Sequence, residues 1–247
     1  MAWLTDSCPD PDGLGLDVQD LPPLPTPASD STVAAMPVMD VTGETLEDAE
    51  SEFVVFRPYT RLGFHHCPER LLLRHGVMDR LASVRDSLPP RLGLVLLDGW
   101  RPRVFQNELF EYYKRRLPTS ISGYVADPES ATLIPGHVTG GAVDLTLSYR
   151  GNPLAIGSDY DEFSVKAHLR SLEDDVPASP AGVFRRFMGR ALGEVGFAPY
   201  PLEWWHWSYG DQRWAAQMGA ESAIYGEAVP RPVALPVPPP RERRAGD

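Results

Sequence analysis

The chain is poor in cysteine, in long apolar runs and in clustered positive charge. Two cysteines, Cys8 and Cys67, cannot build a disulfide framework; at most one bridge could join them. No apolar run approaches the roughly 20 residues that a membrane-spanning helix needs. The N-terminus lacks the basic-then-apolar order of a signal peptide, so the expected compartment is the cytoplasm. Bases are scarce where acids are dense. Twelve of the 34 Asp and Glu lie between Met1 and Glu52, and the first Lys or Arg is Arg57. The net charge of −11 therefore belongs to the N-terminal segment, and the rest is nearly neutral. Such a segment repels nucleic acid and anionic membranes, and no basic patch elsewhere points to either as a partner.

A chain of 247 residues, 43% hydrophobic, is enough for one globular domain with tails. Residues 1–29 read as an acidic, proline-rich arm, disordered or lying on the body. Its turn and polyproline signals are Asp10-Pro11-Asp12-Gly13 and Leu21-Pro22-Pro23-Leu24-Pro25-Thr26-Pro27. Residues 30–228 form the domain, and residues 229–247 are a proline-rich and then basic tail. Within the domain, apolar spacing predicts helices over 68–88, 104–116, 182–194 and 214–218. Strands are expected at 53–56, 92–97 and 142–147, with an aromatic extended segment at 199–209. Residues 150–180 are polar and suit a loop over a site. This mixture lacks regular βαβ alternation, which points to α+β: helices packed on an antiparallel sheet.

The chemistry concentrates in three places. His137 and Asp144 flank the Thr139-Gly140-Gly141 segment, which can turn the chain back so that both side chains converge. His206 closes Glu203-Trp204-Trp205-His206. Two imidazoles and one carboxylate are a zinc set that leaves one position for water. Glu203 is the candidate base. In a regular strand positions i and i+3 face opposite sides, so a bulge or twist would be needed to bring Glu203 and His206 together. Arg101, in Asp98-Gly99-Trp100-Arg101-Pro102, could hold a carbonyl and stabilise an oxyanion. Asp98 either orients Arg101 or caps a turn. His65 and His66 read as a surface pair rather than a second metal site, and His168 as solvated. Trp204, Trp205 and Trp207 read mostly as core, and Cys67 lacks the electropositive setting of a nucleophile.

Together, His137-Val-Thr-Gly-Gly-Ala-Val-Asp144, Glu203-Trp-Trp-His206 and Asp98-Gly-Trp-Arg101-Pro resemble the D-alanyl-D-alanine dipeptidase family. These are VanX-type zinc peptidases whose core is shared with hedgehog domains, and the similarity spans about residues 31–226. The resemblance implies an α+β hedgehog/DD-peptidase fold and one Zn2+ per chain on His137, Asp144 and His206. It implies Glu203 as general base and Arg101 as the transition-state arginine. It also suggests Asp161, in Tyr160-Asp161-Glu162, as the anchor for the substrate ammonium. The expected reaction is hydrolysis of free D-alanyl-D-alanine. Two other readings stand beside it: a related peptidoglycan carboxypeptidase or endopeptidase, and a zinc-binding interaction module without catalysis. Pro135 departs from the family, many members of which carry a serine there that helps hold the substrate's amino end.

Overall fold

The computed structural model describes residues 2–117, 123–176 and 179–230. Most of the C-terminal tail expected at 229–247 therefore lies outside the described residues. In chain order the regular elements are α1 (Asp30–Ala34), β1 (Leu46–Asp48), β2 (Val54–Val55), β3 (Leu72–Arg74) and α2 (His75–Ser87). Next come β4 (Leu92–Asp98), α3 (Arg103–Lys114), α4 (Gly136–Thr139), β5 (Ala142–Tyr149) and β6 (Asn152–Pro153). The last are α5 (Pro180–Glu194), β7 (Ala198–Pro199), β8 (His206–Ser208) and α6 (Gln212–Met218).

The main sheet runs β2-β4-β5-β8-β7, with β6 paired to β5. Every pairing in it is antiparallel except β2 with β4. This is the expected α+β architecture with one parallel edge. Leu94, Val95, Leu96 and Leu97 of β4 are all buried. Successive strand residues point to opposite faces, so the sheet is covered on both sides. The cover includes Val77, Leu81 and Val84 of α2, Phe105 and Leu109 of α3, and Val183, Phe184 and Leu192 of α5.

One local expectation fails, and of the two readings open for the arm one is seen, each for a physical reason. The helix expected over 68–88 begins only at His75. Before it, Leu71 and Leu73 are buried while Leu72 is half-buried, the alternation of a strand. That strand, β3, finds a distant partner in β1, which local spacing cannot reveal. The arm, for its part, lies on the body. Prolines forbid regular structure but not packing, and Leu4, Leu16, Leu21 and Leu24 are buried in the core. Each contributes roughly 1.5–3 kcal/mol of apolar burial. Polar ties add to this: the Trp3 and Leu4 N–H groups donate to the Asp159 carboxylate at 2.8 and 2.7 Å.

Candidate metal centre and its cavity

His137 sits on the single turn of α4. Gly140 ends that turn in the left-handed conformation, φ 71°, where a side chain would be strained. The chain reverses there and enters β5, so the His137 ring is carried back over the strand it precedes. Its Nδ1 lies 2.7 Å from the Gly99 carbonyl oxygen. A carbonyl can only accept, so Nδ1 carries the proton and Nε2 keeps its lone pair. Asp144 and His206 face each other across the β5–β8 ladder. Directly opposed residues share a face of the sheet. Sheet register supplies this pair, and the α4 turn supplies the third group.

Three atoms converge. His137 Nε2 is 3.2 Å from Asp144 Oδ1 and 3.1 Å from His206 Nδ1, and His206 Nδ1 is 3.0 Å from Asp144 Oδ1. Bonds of about 2.0–2.1 Å in a zinc tetrahedron put neighbouring ligand atoms about 3.3 Å apart. The observed triangle fits one face of such a tetrahedron. Among the described residues it is the one group of His, Cys, Asp or Glu able to hold a metal ion. Burial opposes the charge of Asp144, but the two histidines beside it hold its carboxyl well below the usual range. Burial pushes His206 below its ordinary value, towards the neutral form that ligates.

The other oxygen of Asp144 is also held. Tyr160 donates its hydroxyl proton to Asp144 Oδ2 at 2.8 Å, and Arg101 Nη2 lies 3.5 Å away. Burial raises Tyr160 well above the ordinary phenol value, so it stays a donor. Arg101 donates through Nε to Asp98 Oδ2 at 2.6 Å and through Nη1 to Gln106 Oε1 at 3.2 Å. Asp98 thus orients Arg101. An irregularity between Leu96 and Asp98 on β4 shifts the register and sets Asp98 opposite Asp144. Burial works against the Arg101 charge, yet Asp98, Tyr59 and Asp144 hold its pKa well above the ordinary value.

Glu203 and His206 do come to one side, by a tight turn where a bulge or twist was expected. The His206 N–H donates to the Glu203 carbonyl at 3.3 Å, and Glu203 Oε2 lies 4.0 Å from His206 Nδ1. The turn lets two consecutive tryptophans be buried at once: Trp204 donates its indole N–H to Ser158 Oγ, and Trp205 packs edge-on against Tyr160. Burial, then the charges of Asp144 and Asp161, raise the Glu203 carboxyl well above the usual range.

These groups open onto a cavity of about 480 Å3. Asp161 lines it together with Arg101, Glu203 and Pro135. It accepts the Tyr113 hydroxyl proton at 2.7 Å, and burial pushes its carboxyl up to about 7. Its left-handed backbone, φ 57°, points Asp161 at the cavity while its neighbour Tyr160 faces Asp144. His65 and His66 are exposed, with both main-chain N–H groups on the Glu108 carboxylate. His168 is half-buried with Nε2 3.2 Å from the Tyr124 hydroxyl, so it is not the solvated residue expected. Burial pushes the Cys67 and Cys8 thiols up to about 11 and about 12, and both cysteines are free.

Sequence reasoning missed Tyr160, Tyr59, Gln106, Tyr200 and Arg213. Only Tyr160 left a trace, as the neighbour of Asp161. The rest come from separate loops and helices that meet only in the fold.

Comparison with known proteins identifies the family. The model of the family described as D-ala-D-ala dipeptidase matches residues 66–223. A D-alanyl-D-alanine dipeptidase of Synechocystis sp. is 28% identical over 219 residues, covering 74% of this chain and 88% of the relative. The Streptomyces coelicolor enzyme of that name is 28% identical over 131 residues, and the Enterococcus faecium one 30% over 138. Those two alignments cover 49% of this chain and 63% of each relative. The matched span contains every residue of the converging triangle as well as Arg101 and Glu203, and with it the chain belongs to the D-ala-D-ala dipeptidase family of metallopeptidases.

Proposed function

We propose that the protein is a zinc-dependent dipeptidase that hydrolyses the peptide bond of free D-alanyl-D-alanine. The observation that carries this reading is the triangle of His137 Nε2, Asp144 Oδ1 and His206 Nδ1, with Glu203 Oε2 4.0 Å from His206 Nδ1. The relatives named above supply the substrate class. One Zn2+ held by these three side chains would polarise a carbonyl and acidify water.

The chain's own groups then divide the work. Glu203 takes the proton from water and returns it to the departing amine. Its raised pKa suits a group that must carry that proton between the two steps. Arg101 has five N–H bonds, three of which are used by Asp98, Gln106 and Asp144. The other two meet no acceptor among the described residues and would donate to the carbonyl oxygen as its charge grows. Asp161 takes the ammonium of the substrate. Pro135 offers no side-chain acceptor for an ammonium, so the amino end depends on Asp161 all the more. A free dipeptide of this kind is a cell-wall precursor, and the reading goes with a cytoplasmic enzyme of cell-wall metabolism.

Glu203→Ala should keep one zinc per chain by elemental analysis and lower kcat on D-Ala-D-Ala by roughly 10²–10⁴-fold. Full turnover in the zinc-loaded variant would remove Glu203 from its role. N-acetyl-D-Ala-D-Ala should be a poor substrate; equal cleavage of it would defeat the dipeptidase reading.

A further inference from the structure

We infer that Arg213 receives the terminal carboxylate of the substrate and so makes the cavity selective for peptides with a free C-terminus. The inference rests on the dipeptidase reading and adds to it the group that recognises the substrate's other end.

Arg213 lies in the first turn of α6 and lines the same cavity as Glu203 and His206. Its guanidinium carbon stands 4.5 Å from the centre of the Tyr200 ring, and that ring meets the His206 ring with centres 5.4 Å apart. One aromatic ring therefore separates the cation from a proposed metal ligand. The guanidinium can be no more than about 10 Å from the centre of the His206 ring. An extended chain advances about 3.3–3.6 Å per residue, so a carboxylate one residue beyond the scissile bond falls within this reach.

Charge on the cavity wall narrows the choice. The acids include Asp30, Asp127, Asp144, Asp161, Glu203 and Asp211, a field that repels a carboxylate unless a cation receives it. Three cations line the wall: Arg101, Lys114 and Arg213. Arg101 is engaged by Asp98, Gln106 and Asp144 close to the triangle. Lys114 is exposed and sits 3.2 Å from Glu111. Arg213 is different. Its side chain is 8% exposed, whereas its one carboxylate partner among the described residues, Asp30 at 2.9 Å, is 76% exposed. An ion pair with one partner in water is worth little, so the carboxylate of a ligand can replace it at small cost. A second donation, from Nη1 to the Ala28 carbonyl at 3.4 Å, leaves most of the fork unused. The Tyr200 ring lies against the guanidinium, whose planar fork suits bidentate capture of a carboxylate. Ala28 and Asp30 lie outside the span that the family model matches, so the arm takes part in setting this end of the cavity.

The test compares D-Ala-D-Ala with its C-terminal amide, using the zinc-loaded wild type, Arg213→Gln, Arg213→Lys and Asp30→Asn. Arg213→Gln should raise KM for the free acid by roughly 10- to 100-fold and leave KM for the amide within about twofold. Arg213→Lys should recover part of the loss, and Asp30→Asn, which removes the competing carboxylate, should lower KM for the free acid. An equal loss on acid and amide, or an unchanged KM for the acid, overturns the inference. If the wild type cleaves neither compound, the dipeptidase reading fails by itself. Calorimetric titration of acid and amide into wild type and Arg213→Gln then decides: an acid preference that Arg213→Gln abolishes supports Arg213, and no such preference refutes it.

Discussion

Removing one oxygen atom, in Tyr160→Phe, asks whether the outer oxygen of Asp144 governs how well the inner one can ligate. The Tyr160 hydroxyl is 2.8 Å from Asp144 Oδ2, and both residues are almost wholly buried. Without it, Oδ2 keeps only the long 3.5 Å approach of Arg101 Nη2. No water reaches so enclosed a position easily, so the loss should be felt in full. A hydrogen bond to a buried charge contributes about 1.5–3 kcal/mol. Loss of such a support around a metal ligand lowers affinity about 10- to 100-fold, or about 1.4–2.8 kcal/mol. The two routes agree. Zinc affinity would be read by competition with a chromophoric chelator, beside urea unfolding of the zinc-free protein. Tyr59→Phe is the control: its hydroxyl is 3.2 Å from that of Tyr160, and no hydrogen bond joins it to Asp144. The expected result is a 10- to 100-fold rise in the zinc Kd for Tyr160→Phe and a smaller one for Tyr59→Phe. Zinc affinity within twofold of wild type, with stability reduced, would show that the hydroxyl serves the fold alone and would count against Asp144 as a ligand.

Two further predictions concern the loop over the cavity. Asp161, with its carboxyl pushed up to about 7 by burial, is neutral below that pH and charged above it. Its folded-state pKa exceeds the unfolded value of about 3.9, so the folded protein binds the extra proton and loses stability as pH rises between about 4 and 7. Ammonium binding runs the other way: kcat/KM for D-Ala-D-Ala should climb as pH rises through about 7, and Asp161→Asn should remove that limb; an unchanged profile would exclude Asp161 as the anchor. Arg185 is fully buried on α5 and donates to the carbonyls of Ile156, Lys166 and His168 and to Ser171 Oγ, tying down the segment that carries Asp161. Arg185→Met leaves these acceptors without partners and should cost more than about 4 kcal/mol in urea unfolding; a loss under about 1 kcal/mol would mean that the loop is held by other contacts.

The linear motifs made the centre legible before any fold was known. A histidine, a glycine turn and an aspartate, followed by a glutamate and a second histidine, are chemical requirements written as residue types. What sequence could not show was how they meet. Asp144 and His206 are brought together by strand register, and Glu203 turns inward because Trp204 and Trp205 must both be buried. The strands at 92–97 and 142–147 were legible from unbroken apolar runs, whereas β3 was hidden because its partner lies far away in β1. Tyr160, Arg185 and Arg213 were illegible for a related reason. A single tyrosine or arginine has no period of its own, and its role arises from partners on other elements that meet it only in the fold.

The buried leucines of the arm separate two boundaries that are easily equated. Residues 66–223 match the family model, but the unit that hides its own apolar surface begins at Trp3 or Leu4. Trimming to the matched span would strip Leu4, Leu16, Leu21 and Leu24 from the core, expose the greasy footprint beneath them, and remove Asp30, Val33 and Ala34 from one wall of the cavity. A fragment cut at the limits of the family model would thus be sticky and incomplete. For this chain, the family model spans a shorter stretch than self-sufficiency requires.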